Sequence, residues 1–203
     1  AAAQDKVHMR ERLVALGLPV PRWAVVRDRD EVAAFLAPRL ADPSLRIVLT
    51  GAGMSAFAGD VIAPALRTLL ARRVDAVATT DIVASPGTVF AEDLPTLLIS
   101  FARSGNSPES AAATELADRF LTDVSHVVIT CDLSGDLARA HADTATSLVV
   151  GMPEETNDSG FAMTSSFTSM VLACLLLFEE ERDGVVDALA DEAERLFALD
   201  DRI

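Results

Sequence analysis

The sequence predicts an α/β protein built on a five-stranded, doubly wound parallel sheet with flanking helices. From Arg46 to Phe178, short runs rich in Val, Ile and Leu alternate with longer stretches of helical pattern. That alternation is typical of parallel strands joined by crossover helices. Half of the 203 residues are hydrophobic, which is enough for a large core. We expect flavodoxin-like strand order, with every strand's carboxyl end at the one edge where such sheets bind ligands.

Five short apolar runs, each bounded by turn residues, predict the strands. They are Arg46–Thr50, Val74–Ala78, Thr96–Phe101, His126–Thr130 and Ser147–Val150. The predicted helices are Ala56–Leu70, Pro108–Leu121, a short helix ending near Ala140, and Phe161–Phe178. Proline in a helix interior removes a hydrogen bond, so we expect a kink near Pro64. An irregular loop is expected through residues 85–87, after the second strand.

The segments on either side of the sheet predict helices without chemistry of their own. Residues 1–45 are expected to form an N-terminal helical arm, with helices at Asp5–Leu16 and, more weakly because of Pro38, at Asp30–Leu40. Residues 183–203 predict a charged C-terminal helix, Gly184–Leu199, that serves as a linker. The sheet domain is therefore expected over residues 46–182.

The composition narrows the possible partners. A formal net charge of −14 disfavours nucleic acid and anionic membranes. The longest apolar run, Met170–Phe178, is too short to span a bilayer, and the first residues lack a signal-peptide pattern. Cys131 and Cys174 are too few for a disulfide framework, which predicts a cytoplasmic protein. The surplus of apolar residues favours a homodimer.

A polar loop after the third strand is the best candidate for a ligand site. Its residues are Arg103, Ser104, Gly105, Asn106 and Ser107, and Pro108 begins the next helix. Serine is a favoured N-cap and proline a favoured first helical residue. Hydroxyls, a guanidinium and backbone N–H groups at a helix N-terminus form a site for a doubly charged phosphate. The alternative is ordinary helix capping with solvent-exposed hydroxyls.

The glycine turn after the first strand reaches the same edge of the predicted sheet. Gly51, Gly53 and Ala56 formally match a dinucleotide fingerprint. That interpretation, a nucleotide-dependent oxidoreductase, needs an acidic residue at the end of the second strand, but Asp75 lies near its beginning. The chain also lacks a P-loop motif. Ser55, at the start of the helix, can instead donate its hydroxyl to the same anion.

An acidic stretch follows the fifth strand, and Glu155 within it is the candidate catalytic residue. A carboxylate at this edge can move a proton between adjacent carbons, although it can equally be charge near a helix start. Asp132 is a weaker candidate of the same kind. The three histidines lack metal-ligand spacing, and no histidine is placed to activate Cys131. Zinc is therefore not indicated, and we expect no metal or organic cofactor because a phosphate anchor supplies binding energy remote from the reacting carbons.

Three stretches resemble the sugar isomerase (SIS) domain family over about residues 46–181. Residues 47–55 look like its first glycine-serine turn, which ends in Gly53, Met54 and Ser55. Residues 104–107, Ser-Gly-Asn-Ser, are similar to its Ser-Gly-x-Ser/Thr phosphate loop, and residues 153–167 resemble the segment after its fifth strand. One departure is Ala102, which stands where many members carry a serine.

The resemblance implies binding of a phosphorylated hexose or amino-hexose. It assigns Ser55, Ser104 and Ser107 to the phosphate, and the backbone near Phe161 and Ala162 to the sugar. It also implies two SIS domains in the isomerases, the second supplying much of the catalytic machinery. We therefore expect the N-terminal half of an aldose–ketose isomerase, with or without loss of a 2-amino group. The alternative is a phosphosugar-sensing module that binds without catalysis.

Overall fold

The computed structural model describes residues 29–160, 163–179 and 184–200. The helix expected at Asp5–Leu16, and the predicted sugar contacts Phe161 and Ala162, lie outside these ranges. The strands are β1 (Arg46–Gly51), β2 (Val74–Ala76), β3 (Thr96–Ala102), β4 (Val124–Thr130) and β5 (Ser147–Gly151). The helices are α1 (Arg29–Leu40), α2 (Met54–Leu70), α3 (Thr79–Ala84), α4 (Pro86–Val89), α5 (Pro108–Phe120), α6 (Asp136–His141), α7 (Ser165–Phe178) and α8 (Val185–Asp200).

All five strands are parallel and lie in the order β2-β1-β3-β4-β5, which confirms the predicted topology. After β1 the chain adds β2 on one side of β1, and then crosses to add β3 on the other side. The loops that follow β1 and β3 consequently diverge at a topological switch point. The register places Thr50 of β1 beside Ser100 of β3, so the two loops start from neighbouring positions.

Helices cover both faces of the sheet because successive strand residues point to opposite sides. Val48 and Leu98 face a cluster that includes Ile82 of α3 and Ala113 of α5. On the other face, α2 approaches β1 closely: a Cβ added to Gly59 would lie 3.1 Å from the Leu49 Cβ. β1 and β3 are buried along their whole length, as expected for central strands of a parallel sheet.

The segment between β2 and β3 differs from the expected irregular loop. It forms two short helices, and Pro86 occupies the first position of the second, where its missing N–H costs no hydrogen bond. β2 is shorter than predicted and ends at Ala76. The chain then turns so that the Thr79 hydroxyl donates to the Gly51 carbonyl at 3.2 Å. α2 continues through Pro64 to Leu70.

The last two helices differ in burial. α7 buries Met170 and Cys174 completely or nearly so. α8 belongs to a separate compact unit and carries exposed Leu189 and Leu196. Within the described ranges, no helix combines the length and the apolarity that crossing a membrane requires.

Candidate functional site

A cavity of about 140 Å³ opens at the carboxyl edge of the sheet, at the switch point between β1 and β3. It is lined by Ala52, Ser55, Phe101, Ala102, Arg103, Ser104, Gly105, Ser107, Ser110 and Met163. The loops after β1 and β3 supply most of this lining, as their shared edge predicts. Complete small-molecule pockets usually measure roughly 300–1,000 Å³. The volume enclosed by the described residues is smaller than that.

The loop after β3 presents hydroxyls to this cavity from a left-handed turn and a helix start. Gly105 has a φ of 67°, in the left-handed region that glycine adopts at little cost. Ser107 occupies the N-cap position of α5, but its hydroxyl makes no capping bond. It lies 2.6 Å from the hydroxyl of Ser110 instead, so Ser107 occupies the expected N-cap position without making the hydrogen bond that the ordinary-capping alternative requires. Ser107 and Ser110 thus form a hydroxyl pair in the first turn of α5, where the helix dipole favours anions.

The other side of the same loop is fixed by α6. The Leu137 N–H donates to the Gly105 carbonyl at 3.0 Å. The Asp136 N–H donates to the Asn106 side-chain oxygen, also at 3.0 Å. The side-chain oxygen of Asn106 therefore satisfies an N–H in the first turn of α6, and Asn106 does not line the cavity.

The turn after β1 brings one of its three predicted site residues to the cavity. Ser55 is 7% exposed and lines the wall, whereas Gly53 and Met54 are exposed and do not. Gly53 has a φ of 58° and makes the turn possible. A Cβ on Gly51 would lie 2.6 Å from the backbone carbon of Ser55. Glycine at position 51 therefore allows the chain to fold back tightly enough to place the Ser55 hydroxyl.

Arg103 supplies positive charge to the cavity wall. Its guanidinium donates to the backbone carbonyl of Asp158, in the loop after β5. The Asp158 carboxylate in turn accepts from the backbone N–H and the hydroxyl of Ser166, both at 2.8 Å. These hydrogen bonds, and the charge of Arg103, lower the pKa of Asp158. An arginine beside three serine hydroxyls at a helix N-terminus is chemically suited to a phosphate.

The acidic candidates lie outside the cavity. Glu155 is exposed in a 3₁₀ turn, Glu154–Thr156, and is absent from the lining. Asp132 accepts from the backbone N–H and hydroxyl of Ser134, which hold the turn after β4 and lower the pKa of that carboxyl. Cys131 is buried, and burial raises the pKa of its thiol, which disfavours a nucleophilic thiolate.

Two histidines form a buried pair near the amino ends of β4 and β5, away from the cavity. The ring centroids of His126 and His141 are 4.7 Å apart. His126 Nε2 lies 2.9 Å from Asp118 Oδ1, and His141 Nδ1 lies 2.9 Å from Ser147 Oγ. Burial, together with the neighbouring His126, lowers the pKa of His141 to about 4. In the part of the chain that the structure describes, no cluster of His, Cys, Asp and Glu could hold a metal ion.

Sequence reasoning missed three kinds of lining residue. Ser110 lies one turn into α5, three residues after Ser107, and that helical spacing is a usable signal. Ala52 and Phe101 line the cavity at the carboxyl ends of β1 and β3. Met163 comes from the segment before α7, more than 50 positions after Ser110 in the chain. No local pattern indicates that it reaches the cavity.

Comparison with known proteins identifies relatives that are much longer. A protein of Streptomyces coelicolor is 59% identical over 169 residues, which is 83% of this chain and 44% of that protein. The D-galactosamine-6-phosphate deaminase AgaS of Shewanella sp. strain ANA-3 is 47% identical over 80% of this chain and 43% of its own length. The crystal structure of tagatose-6-phosphate ketose/aldose isomerase from Escherichia coli is 48% identical, with a TM-score of 0.73 over 75% of this chain and 42% of that one. The chain thus spans less than half the length of these relatives.

The profile of the SIS domain matches residues 39–180. That range contains the whole sheet and both loops of the cavity. Because the match extends over most of the chain, this protein belongs to the SIS domain family.

Proposed function

We propose that this chain is the phosphosugar-binding half of an enzyme that isomerises a hexose 6-phosphate or 2-amino-hexose 6-phosphate. The observation that carries the proposal is the cavity at the switch point, which Ser55 at the start of α2 lines together with Arg103, Ser104 and Ser107 at the start of α5. The names of its relatives, a D-galactosamine-6-phosphate deaminase and a tagatose-6-phosphate isomerase, support a galactose-type substrate.

In this mechanism the residues of the cavity hold the phosphate, far from the carbons that react. Hydroxyls and a guanidinium bind a dianion through charge-assisted hydrogen bonds. Binding energy at such a remote group can be used to orient the reacting end of the substrate. The reaction at that end is ring opening, followed by proton transfer between C1 and C2 through an enediol or an enolamine. With an amino sugar, hydrolysis of the resulting imine releases ammonia and leaves the ketose phosphate.

Glu155 is the carboxylate on this chain that we assign to the proton transfer. It lies in the loop after β5, at the same edge of the sheet as the cavity, and its side chain is exposed. In an extended hexose 6-phosphate, C1 and C2 are at the opposite end of the carbon chain from the phosphate. A base for these carbons therefore belongs outside the phosphate cavity, which agrees with the absence of Glu155 from the lining.

Residues 46–182 form the phosphosugar-binding domain in this proposal, flanked by a helical arm and a charged linker. We also propose that the protein works in the cytoplasm as a homodimer without a cofactor. Exposed Phe57 and Val61 on the outer surface of α2 support self-association, because they add apolar area there. Sedimentation of the chain at several concentrations measures its oligomeric state.

The test of this function is calorimetric titration with D-galactosamine 6-phosphate and with D-galactosamine. Replacing Ser104 or Ser107 by alanine removes a hydroxyl donor to the phosphate, so we expect about a tenfold weaker Kd for the phosphorylated sugar. The matched control is Ser134→Ala, which changes an exposed serine at the tip of β4 outside the cavity. Equal binding of both sugars, or equal effects of all three substitutions, would contradict the proposal.

The sensing alternative is supported by one observation: neither a lysine nor a histidine is among the described residues that line the cavity. A coupled assay for ketose phosphate and ammonia distinguishes the two functions. The enzyme is supported if the protein turns over the phosphosugar and if Glu155→Gln abolishes that turnover while keeping the affinity for the phosphosugar. Tight phosphosugar binding without any turnover by a protein that includes the rest of the relatives' length supports the sensor.

A further inference from the structure

Asp158 makes hydrogen bonds in two directions, to Arg103 in the cavity wall and to Ser166 at the start of α7. Its backbone carbonyl accepts a hydrogen bond from the Arg103 guanidinium at the end of β3. Its carboxylate Oδ2 accepts from the backbone N–H and the hydroxyl of Ser166, the second residue of α7, both at 2.8 Å. One residue thus joins the charged wall of the cavity to the start of the helix that follows Met163.

The bond to Ser166 is well suited to hold this residue in place. The first N–H groups of a helix have no partner within the helix, and a carboxylate there also interacts favourably with the helix dipole. Ser166 is buried, with 1% of its surface exposed, so its hydroxyl and N–H need partners inside the protein. The hydrogen bond from the Ser166 N–H is the main cause of the lowered pKa of Asp158, and it favours the ionised carboxylate at neutral pH.

Arg103 benefits from the position of the Asp158 carbonyl. An arginine side chain has many rotamers, and ordering it on ligand binding lowers affinity. The guanidinium is a planar group with five N–H donors, so one hydrogen bond to a fixed carbonyl restrains its plane and leaves donors for an anion. The hydrogen bonds between the Asp158 carboxylate and Ser166 attach the loop after β5 to α7, and this attachment restrains the Asp158 carbonyl.

We propose that Asp158 is a positioning residue for the anion site: by binding Ser166 it holds its own carbonyl where that carbonyl orients Arg103 toward the cavity. This inference rests on the proposed function in one respect, because it takes the anion to be a sugar phosphate. Asp158 itself does not line the cavity.

The first test compares phosphosugar affinity among variants by calorimetric titration with D-galactosamine 6-phosphate. We expect Asp158→Ala to weaken binding about threefold to tenfold, the range set by ordering one long side chain. Asp158→Asn keeps an oxygen acceptor for the Ser166 N–H, so its affinity stays within about twofold of the unmodified chain. Ser166→Ala removes the hydrogen bond from the hydroxyl and keeps the one from the backbone N–H. Its phosphosugar affinity is therefore expected to lie between those of the two Asp158 variants.

The readout that a purely structural role would not move is the coupling to Arg103. In an Arg103→Met background the oriented guanidinium is already absent, so Asp158→Ala is expected to have no further effect on phosphosugar affinity. An equal loss of affinity in both backgrounds would overturn the proposal. If Asp158→Ala does not fold, Ser166→Ala measured in the same two backgrounds gives the same decision.

A ligand-independent measurement separates this inference from the proposed function. Crystal structures of the unmodified chain and of Ser166→Ala or Asp158→Ala are compared at Arg103. Displacement of the guanidinium from the cavity, with Ser104 and Ser107 unmoved, supports the positioning role even if D-galactosamine 6-phosphate does not bind, an outcome that would reject only the function. An unchanged guanidinium in the variant overturns the positioning role, even if the sugar phosphate binds to the unmodified chain.

Discussion

Replacing Gly135 by alanine tests the contact between α6 and the loop that carries Ser104. Gly135 is the N-cap of α6 with φ −65° and ψ 155°, a backbone conformation that alanine adopts without strain. The obstacle is the neighbouring backbone. A Cβ at this position would lie 2.0 Å from the Ser104 carbonyl oxygen and 3.2 Å from that of Asp132, whereas real Cβ atoms stay at least 3.0 Å away. The Ser104 carbonyl must therefore move by about 1 Å.

The expected cost follows from that displacement. Forcing extra atoms into a packed site typically costs about 1–3 kcal/mol, and here the atom that must give way is backbone rather than a flexible side chain. In the proposed function the Ser104 hydroxyl donates to the phosphate, and a shift of the Ser104 backbone displaces that hydroxyl. The loss of one charge-assisted hydrogen bond weakens binding by about tenfold. Gly135→Ala should therefore lower both the free energy of unfolding and the affinity for D-galactosamine 6-phosphate.

Urea denaturation and calorimetric titration measure these two quantities on the same samples. The matched control is Gly87→Ala in α4, where the added Cβ meets only the Phe120 ring, at 3.6 Å. Alanine is favoured over glycine in helices by about 1 kcal/mol, so this control should be neutral or stabilising. Unchanged stability and affinity in Gly135→Ala would refute the reasoning, because the loop would then accommodate a methyl group without moving.

Two further predictions concern buried charge. Burial lowers the pKa of His141 from 6.5 to about 4, so between these pH values the unfolded chain binds a proton that the folded chain does not. The free energy of unfolding should therefore fall as the pH drops through this window. In urea denaturation, His141→Gln should flatten this dependence of stability on pH. Parallel stability–pH curves for the variant and the unmodified chain would contradict the prediction. Asp75→Ala removes the carboxylate that lies 2.7 Å from the buried Arg46, and it should cost about 3 kcal/mol. Asp136→Ala, which breaks an exposed pair with Arg139, should cost less than about 1 kcal/mol, and equal losses would show that burial of the arginine is unimportant.

The strands and their order were predictable because their signal is local. Runs such as Leu97-Leu98-Ile99 are buried on both faces, and a strand of that kind needs apolar residues at every position. The predicted strand ends differ from the observed ones by up to two residues, since the last hydrogen bonds depend on where the neighbouring strand stops. The helices between Thr79 and Val89 were harder to predict from the sequence. These two short helices have too few residues for a visible helical period.

The candidate site was predictable only in part, because some of its contacts join residues that are distant in the sequence. Ser55, Ser104 and Ser107 stand beside glycine turns and helix starts, so sequence alone brings them to one edge of the sheet. Their phosphate-binding role remains a prediction, although all three line the cavity. The bond between Asn106 and Asp136 joins residues 30 positions apart, and local sequence does not indicate it. Distant contacts of this kind decide whether a polar side chain faces a ligand or holds another helix.

The attachment of the loop after β3 to α6 has a consequence for the thermodynamics of binding. The Leu137 N–H holds the backbone carbonyl of Gly105, and the Asp136 N–H holds the side chain of Asn106. Fixing one backbone residue costs roughly 1–2 kcal/mol in conformational entropy. Here that cost falls within the folding of the domain, so an anion bound at this loop, as we propose, would meet a preorganised backbone, and ordering the loop would not reduce its binding free energy.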